Sequence, residues 1–139
     1  MYDSGMLAPV LALVSWSLVV WAWMYARRIP AMRKAGVKPQ QAVVAGSLRA
    51  MLPPQAGYIA DNYNHLMEQP TIFYAAAFAA HLAAAADFAN IGLAWAYVGL
   101  RVAHSLVQCT ANVVIVRFAL FVASTLALAA MTVRTVLAL

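Results

Sequence analysis

The chain has 139 residues, 65% of them hydrophobic and only 9% charged, and its mean hydropathy of +0.79 lies outside the range of a water-soluble domain of this length. Crossing about 30 Å of hydrocarbon takes about 20 largely apolar residues, so the composition reads as a single membrane domain with room for about four helices and one sizeable polar connection. The net charge of +5 does not read as a nucleic-acid footprint. Six of the nine basic residues, Arg27, Arg28, Arg33, Lys34, Lys38 and Arg49, fall in one segment between apolar spans, which is the positive-inside signal of a cytoplasmic loop and sets both chain ends outside the cytoplasm.

The first span is expected over residues 6–26. Its leading end carries Asp3 and no basic residue, and the Arg27-Arg28 pair follows the apolar run, the reverse of a cleaved signal peptide. Trp21, Trp23 and Tyr25 fall where this helix meets the cytoplasmic headgroups, as an aromatic belt requires. The loop over 27–61 is punctuated by Pro30, Gly36, Pro39, Pro53, Pro54 and Gly57, which argues against a long helix through it. Between the prolines, Val44, Leu48, Met51 and Leu52 keep helical spacing and predict a short helix lying on the membrane surface, apolar side down.

A second span is predicted over 62–86, returning to the outside, with the short turn at 87–90 containing no basic residue. Ala75, Ala79 and Ala83 recur every four residues along it and would let another helix approach closely. The third span is expected over 91–111 and the fourth over 113–137, giving an all-α, four-helix up-down bundle because the connections are short. Asp87 reads as a cap, and Arg134, near the outer end, as a side chain that snorkels to the interface.

Polar residues within such a chain carry the functional signal. Asp61, Asn64, Glu68 and Thr71 fall within about 80° of arc at the mouth of the second span. On the third span Tyr97, Arg101, His104, Ser105, Gln108 and Asn112 form one narrow stripe, and Arg117 stands near the start of the fourth. Counting inward from the cytoplasmic ends puts Glu68 about 10 Å, His104 about 12 Å and Arg101 about 16 Å into the bilayer. Charges at such depth should face inward and pair, Glu68 with Arg101 or His104. The stripe reads either as interhelical glue or as a cytoplasm-facing pocket for an anionic or zwitterionic ligand. A lone cysteine, Cys109, excludes an internal disulfide, and His65 and His81 fall on different sides of the second span, so no metal site is expected.

The stretches "NHLMEQPTIFYA" (64–75) and "LRVAHSLVQCTANVVIVRF" (100–118), with "ARRIPAMRKAG" after the first span, resemble the MAPEG family, the membrane-associated proteins in eicosanoid and glutathione metabolism. The resemblance covers nearly the whole chain. It implies a four-helix protomer assembled as a homotrimer in the bacterial inner membrane, with glutathione as cosubstrate near the cytoplasmic side between protomers and a lipophilic small molecule or membrane lipid as the other partner. The implied activity is that of a glutathione transferase or peroxidase. Matched by position, Asn64, Glu68, Arg101 and His104 correspond to glutathione contacts and Arg117, with Arg101, to the thiolate-stabilising arginines. Glu68 follows Asn64 by four residues where the eukaryotic enzymes have three, as in a divergent bacterial branch. Ala103, Ser105 and Cys109 stand where many members carry tyrosines, which keeps open the alternative of a non-catalytic lipid-binding or structural subunit of a membrane complex.

Overall fold

The structure, a computed structural model, describes residues 5–44 and 46–139; Asp3, on which the reading of the leading end rests, lies outside them. The described residues form six α-helices and one 3-10 turn, with no strand among them. Helix α1, Leu7–Lys34, runs eight residues past the predicted span. Pro30 lies inside it on the exposed side and does not end it. The stop comes at Gly36, whose φ of +67° is open to a residue without Cβ, and there Gly36 N donates to Arg33 O and Val37 N to Met32 O. This is a Schellman closure of orphan carbonyls, with Arg33 and Lys34 in the last turn favourably placed against the helix dipole.

The connection that follows is more helical than its prolines suggest. A 3-10 turn, Pro39–Ala42, is closed by Lys38 N donating to Gln41 Oε1 at 2.7 Å. Helix α2, Ser47–Met51, is a little over one turn. Of the four residues predicted to line its apolar side, Leu48 is buried, but Val44 is 70% exposed and precedes the helix. Helix α3, Pro54–Leu66, starts with proline at a position whose missing N–H has no helical partner to lose, so it begins well before the predicted residue 62.

The single helix predicted over 62–86 is two helices in the structure. Helix α3 stops at Leu66 and α4, Gln69–Leu82, begins two residues later. Pro70 is the cause, since it has no N–H for the Leu66 carbonyl and its ring would strike that carbonyl in a continuous helix. The interruption is taken up at Glu68, with φ −89° and ψ −100°. Helix α4 ends in a second Schellman closure around Ala84 at φ +55°, with Ala84 N bonded to His81 O and Ala85 N to Ala80 O.

Helices α5, Phe88–Cys109, and α6, Val114–Leu137, lie close to the predicted third and fourth spans. Asp87 caps α5 by accepting from Asn90 N at 2.8 Å. Arg134 does not snorkel alone: its Nη2 lies 2.7 Å from Asp87 Oδ2 and its Nε donates to Asn90 Oδ1 at 3.0 Å, tying the end of α6 to the start of α5.

Packing centres on α5, which touches α1, α3 and α6, while α4 lies against α6 and α1. A narrow stripe of α1, including Val10, Leu13, Ser17, Val20 and Met24, is buried, and the rings of Phe73 and Tyr97 stack at 4.5 Å between α4 and α5. Ala77 and Ala80 supply the close contacts of α4, whereas Ala75 and Ala79 face outward. Helices α1 and α6 are each long and apolar enough to cross a membrane. Apolar side chains also cover much of the exterior, among them Leu11, Leu18, Ile72, Ile115, Phe118 and Leu126, a surface that water would not tolerate over so large an area.

Candidate functional site

The polar stripe of α5 turns inward. Tyr97, Arg101, His104, Ser105 and Gln108 are all buried, and each meets a group from another element or its own next turn. Toward α3, Asn62, fully buried, donates through Nδ2 to Ser105 Oγ at 2.9 Å, and the hydroxyl faces Asn62 Oδ1 at 3.0 Å. Toward α4 and α6, the Tyr97 hydroxyl donates to Gln69 Oε1 at 3.3 Å and Gln69 Nε2 donates to Thr125 Oγ1 at 2.9 Å.

His104 bridges to the start of α6. Its Nδ1 lies 3.0 Å from the Arg117 carbonyl and its Nε2 3.1 Å from the Gln108 side-chain amide. A carbonyl only accepts, so Nδ1 carries the proton. The Gln108 atom facing Nε2 is Oε1, which accepts from the imidazolium; for the neutral ring the same amide, turned over, donates through its own Nε2. Arg117 is half-buried, with Nη1 donating to Asn112 Oδ1. Asn112, at φ +50°, belongs to the α5–α6 turn and not to the helical stripe; it tolerates a left-handed backbone better than most residues do.

Arg101 holds the centre at 1% exposure. Its Nη2 donates to the His65 carbonyl at 3.2 Å, and its guanidinium carbon stands 5.5 Å from the centroid of Phe121. Its Nε and Nη1 have no hydrogen-bond partner among the described residues, and the same holds for Arg117 Nε. The expected Glu68–Arg101 ion pair does not form. Glu68, the residue at the helix break, is 68% exposed at its side chain and turns its Oε2 to His65 Nδ1 at 2.8 Å. The carboxylate and the guanidinium are joined through His65, not to each other.

Of the five residues singled out in the sequence, Glu68 and Arg101 are joined through His65, and His104 is joined to the Arg117 carbonyl; the two sets meet where the His65 and His104 rings lie 5.0 Å apart. Asn64 is part of neither. It is exposed and lines a cleft of about 250 Å³ with Arg28, Leu48, Arg49 and Asp61, in which Arg49 Nη1 and Asp61 Oδ2 pair at 2.8 Å. Asp61 thus belongs to that cleft and not to a common face with Glu68. Sequence reasoning missed Asn62, Gln69, Phe121 and Thr125 and weighed His65 only as a metal ligand. A signal for two of them lies in α6, where Arg117, Phe121 and Thr125 recur at four-residue spacing and so share one face.

A helical chain with two membrane-length apolar helices, an apolar exterior and its polar groups folded inward around a buried arginine has the organisation of an integral membrane protein. Residues 6–137 match the model of the MAPEG family, nearly the whole chain, and the chain belongs to that family. No curated protein and no solved structure matches it.

Proposed function

We propose that this chain is a glutathione-dependent transferase or peroxidase acting on a lipophilic substrate. The observation that carries the reading is the Arg101 guanidinium, sealed from solvent with two N–H groups unanswered among the described residues. A buried cation of this kind calls for an anion. Glutathione fits the donor set, because its two carboxylates and one ammonium leave it net negative, and thiolate formation adds one more negative charge. Exposed Glu68 and Asn64 are suited to its ammonium and peptide groups, and Arg101, His104 and Arg117 to its acidic and thiol end.

In this reading Arg117, tethered through Nη1 to Asn112, favours the thiolate by charge proximity. The thiolate then attacks an electrophilic carbon, forming a C–S bond as a leaving anion departs or, in an addition, as the resulting carbanion takes up a proton. Alternatively it attacks a hydroperoxide oxygen, breaking the O–O bond to release the alcohol and leave a sulfenic acid, which a second glutathione converts to the disulfide and water. The bilayer concentrates the second substrate. The same reading takes the protomer as a four-span bundle, with α3 and α4 together forming the second span, that assembles as a homotrimer in the bacterial inner membrane with both termini outside the cytoplasm. Exposure of Asn64 and Glu68 in the single chain favours a site completed by a neighbouring protomer.

The test is the ultraviolet absorbance of bound thiolate followed against pH in the purified protein. Wild type should bind glutathione with a lowered thiol pKa, and Arg117→Ala should keep affinity within a few-fold while raising that pKa by about one unit or more, as loss of an adjacent opposite charge does. Absence of binding at millimolar glutathione would overturn the catalytic reading in favour of a lipid-binding or structural subunit. Such a role would suit a stripe in which the Ser105 hydroxyl is already engaged by Asn62.

A further inference from the structure

The break between α3 and α4 does more than interrupt a helix. In a continuous helix the His65 carbonyl would accept from Gln69 N; here the chain leaves the helix first, and only Glu68 N approaches that carbonyl, at 3.4 Å. The freed acceptor faces the interior, and Arg101 Nη2 takes it up at 3.2 Å. An orphan carbonyl at a helix end is satisfied, and a buried guanidinium gains a fixed partner. The same irregular backbone brings the Glu68 side chain back one turn onto His65 Nδ1 at 2.8 Å.

His65 is itself held from two sides. Its ring stacks on Phe121 of α6 with centroids 5.4 Å apart and planes 26° from parallel, and it lies 5.0 Å from the ring of His104. A ring so packed has little freedom in χ, and its Nδ1–H therefore points in a set direction. The carboxylate it meets is otherwise on a largely exposed side chain, with the rotamer freedom that exposure allows.

We propose that His65 is the positioning residue of the site, fixing the Glu68 carboxylate through Nδ1 and the Arg101 guanidinium through its carbonyl so that the two opposite charges face the two ends of one zwitterionic ligand. The inference deepens the glutathione reading and rests on it: Glu68 would receive the γ-glutamyl ammonium, and His65 would act on affinity through Glu68 without touching the ligand. A positioned carboxylate also leaves one oxygen for the ligand, because Oε2 is the atom engaged by His65.

Calorimetric titration of the full-length protein in detergent tests this with two probes, glutathione and the same tripeptide lacking its amino group, glutaryl-cysteinyl-glycine. His65→Ala should weaken glutathione by about tenfold, the scale of one misdirected hydrogen bond to a charged group. It should leave the amino-free analogue unchanged within experimental error. His65→Asn, whose Nδ2–H stands close to the place of the imidazole Nδ1–H, should recover glutathione affinity. In a Glu68→Gln background, His65→Ala should cause little further loss. Wild-type binding with equal losses for both probes, no rescue by asparagine, or unchanged affinity in His65→Ala would overturn the role of His65 and leave the glutathione site standing. Failure of wild type to bind either probe would overturn both. Should His65→Ala not fold, the comparison of His65→Asn with His65→Leu on the two probes decides in the same way.

Discussion

Replacing Arg101 with methionine separates what this residue does for the fold from what it does for a ligand. In the ligand-free protein the guanidinium gains a hydrogen bond to the His65 carbonyl at a long 3.2 Å, worth about 1.5 kcal/mol for a charged donor. Its place over the Phe121 ring adds about 1–2 kcal/mol. Against these stand two buried N–H groups without partners among the described residues, at about 1–3 kcal/mol each. Methionine has similar reach, suits an irregular apolar cavity and leaves no donor unanswered. The differences place Arg101→Met between about 1.5 kcal/mol less stable and about 3.5 kcal/mol more stable than wild type, in line with other replacements of buried charges by apolar residues. Unfolding in mixed micelles at graded sodium dodecyl sulfate measures this directly. Adding glutathione at about a hundred times its Kd should stabilise wild type by about 2.7 kcal/mol and the variant not at all. A loss of about 3 kcal/mol or more in the ligand-free variant is what removing one partner of a compensated buried pair produces, and it would refute the view that Arg101 is unsatisfied in the absence of a ligand.

Asn62→Ala and Ser105→Ala should be coupled, because each removes the partner of the other between α3 and α5. The double variant should lose about 1 kcal/mol less than the sum of the singles in the same assay, within the range of polar pairs in membrane proteins. Ala84→Gly should stabilise by up to about 1 kcal/mol, since it relieves a left-handed alanine at φ +55° at the cost of some chain entropy. Gly36→Ala should destabilise by about 1 kcal/mol through backbone strain alone, because a Cβ there meets nothing within 4 Å. Asp87 is held below the usual carboxylate range, first by the Asn90 backbone N–H and then by Arg134. Its folded value is depressed, so its contribution is present above the ordinary value of about 4 and fades as pH falls through the lowered one. Asp87→Asn should remove that part of the acid dependence of the thermal midpoint while keeping the cap at Asn90 N.

The membrane class and the family were legible in the sequence because both rest on features that survive without coordinates: apolar runs of bilayer length and the residue pattern around Asn64, Glu68, Arg101 and His104. The inward face of α5 was legible for the same reason, since a 3.6-residue period converts spacing directly into a shared side. Element ends were less so. Proline at residue 30 reads as a stop, yet the stop lies at Gly36, because one lost hydrogen bond on an exposed face is tolerated while a left-handed residue ends a helix geometrically. Pro70 had the opposite fate. Between two apolar stretches it looks like a minor blemish in a span, but it forces the break that carries Glu68 away from the α3 axis. The Glu68–Arg101 pairing followed from depth alone, and depth does not tell which neighbour reaches a side chain first. His65, only three residues from Glu68, was nearer.

The irregular backbone at Met67 and Glu68 also acts as a slip joint for sequence change. In an unbroken helix an inserted residue turns everything beyond it by about 100° and would swing Phe73, Ala77 and Ala80 off the core. Where the chain is already non-helical, an added or lost residue can be absorbed in two or three dihedrals while the axis and face of α4 remain where Pro70 restarts them. The number of residues between Asn64 and Glu68 is therefore only loosely bound to the rest of the fold. A protein built this way can lengthen or shorten the reach of one acidic side chain without repacking the helices that hold it.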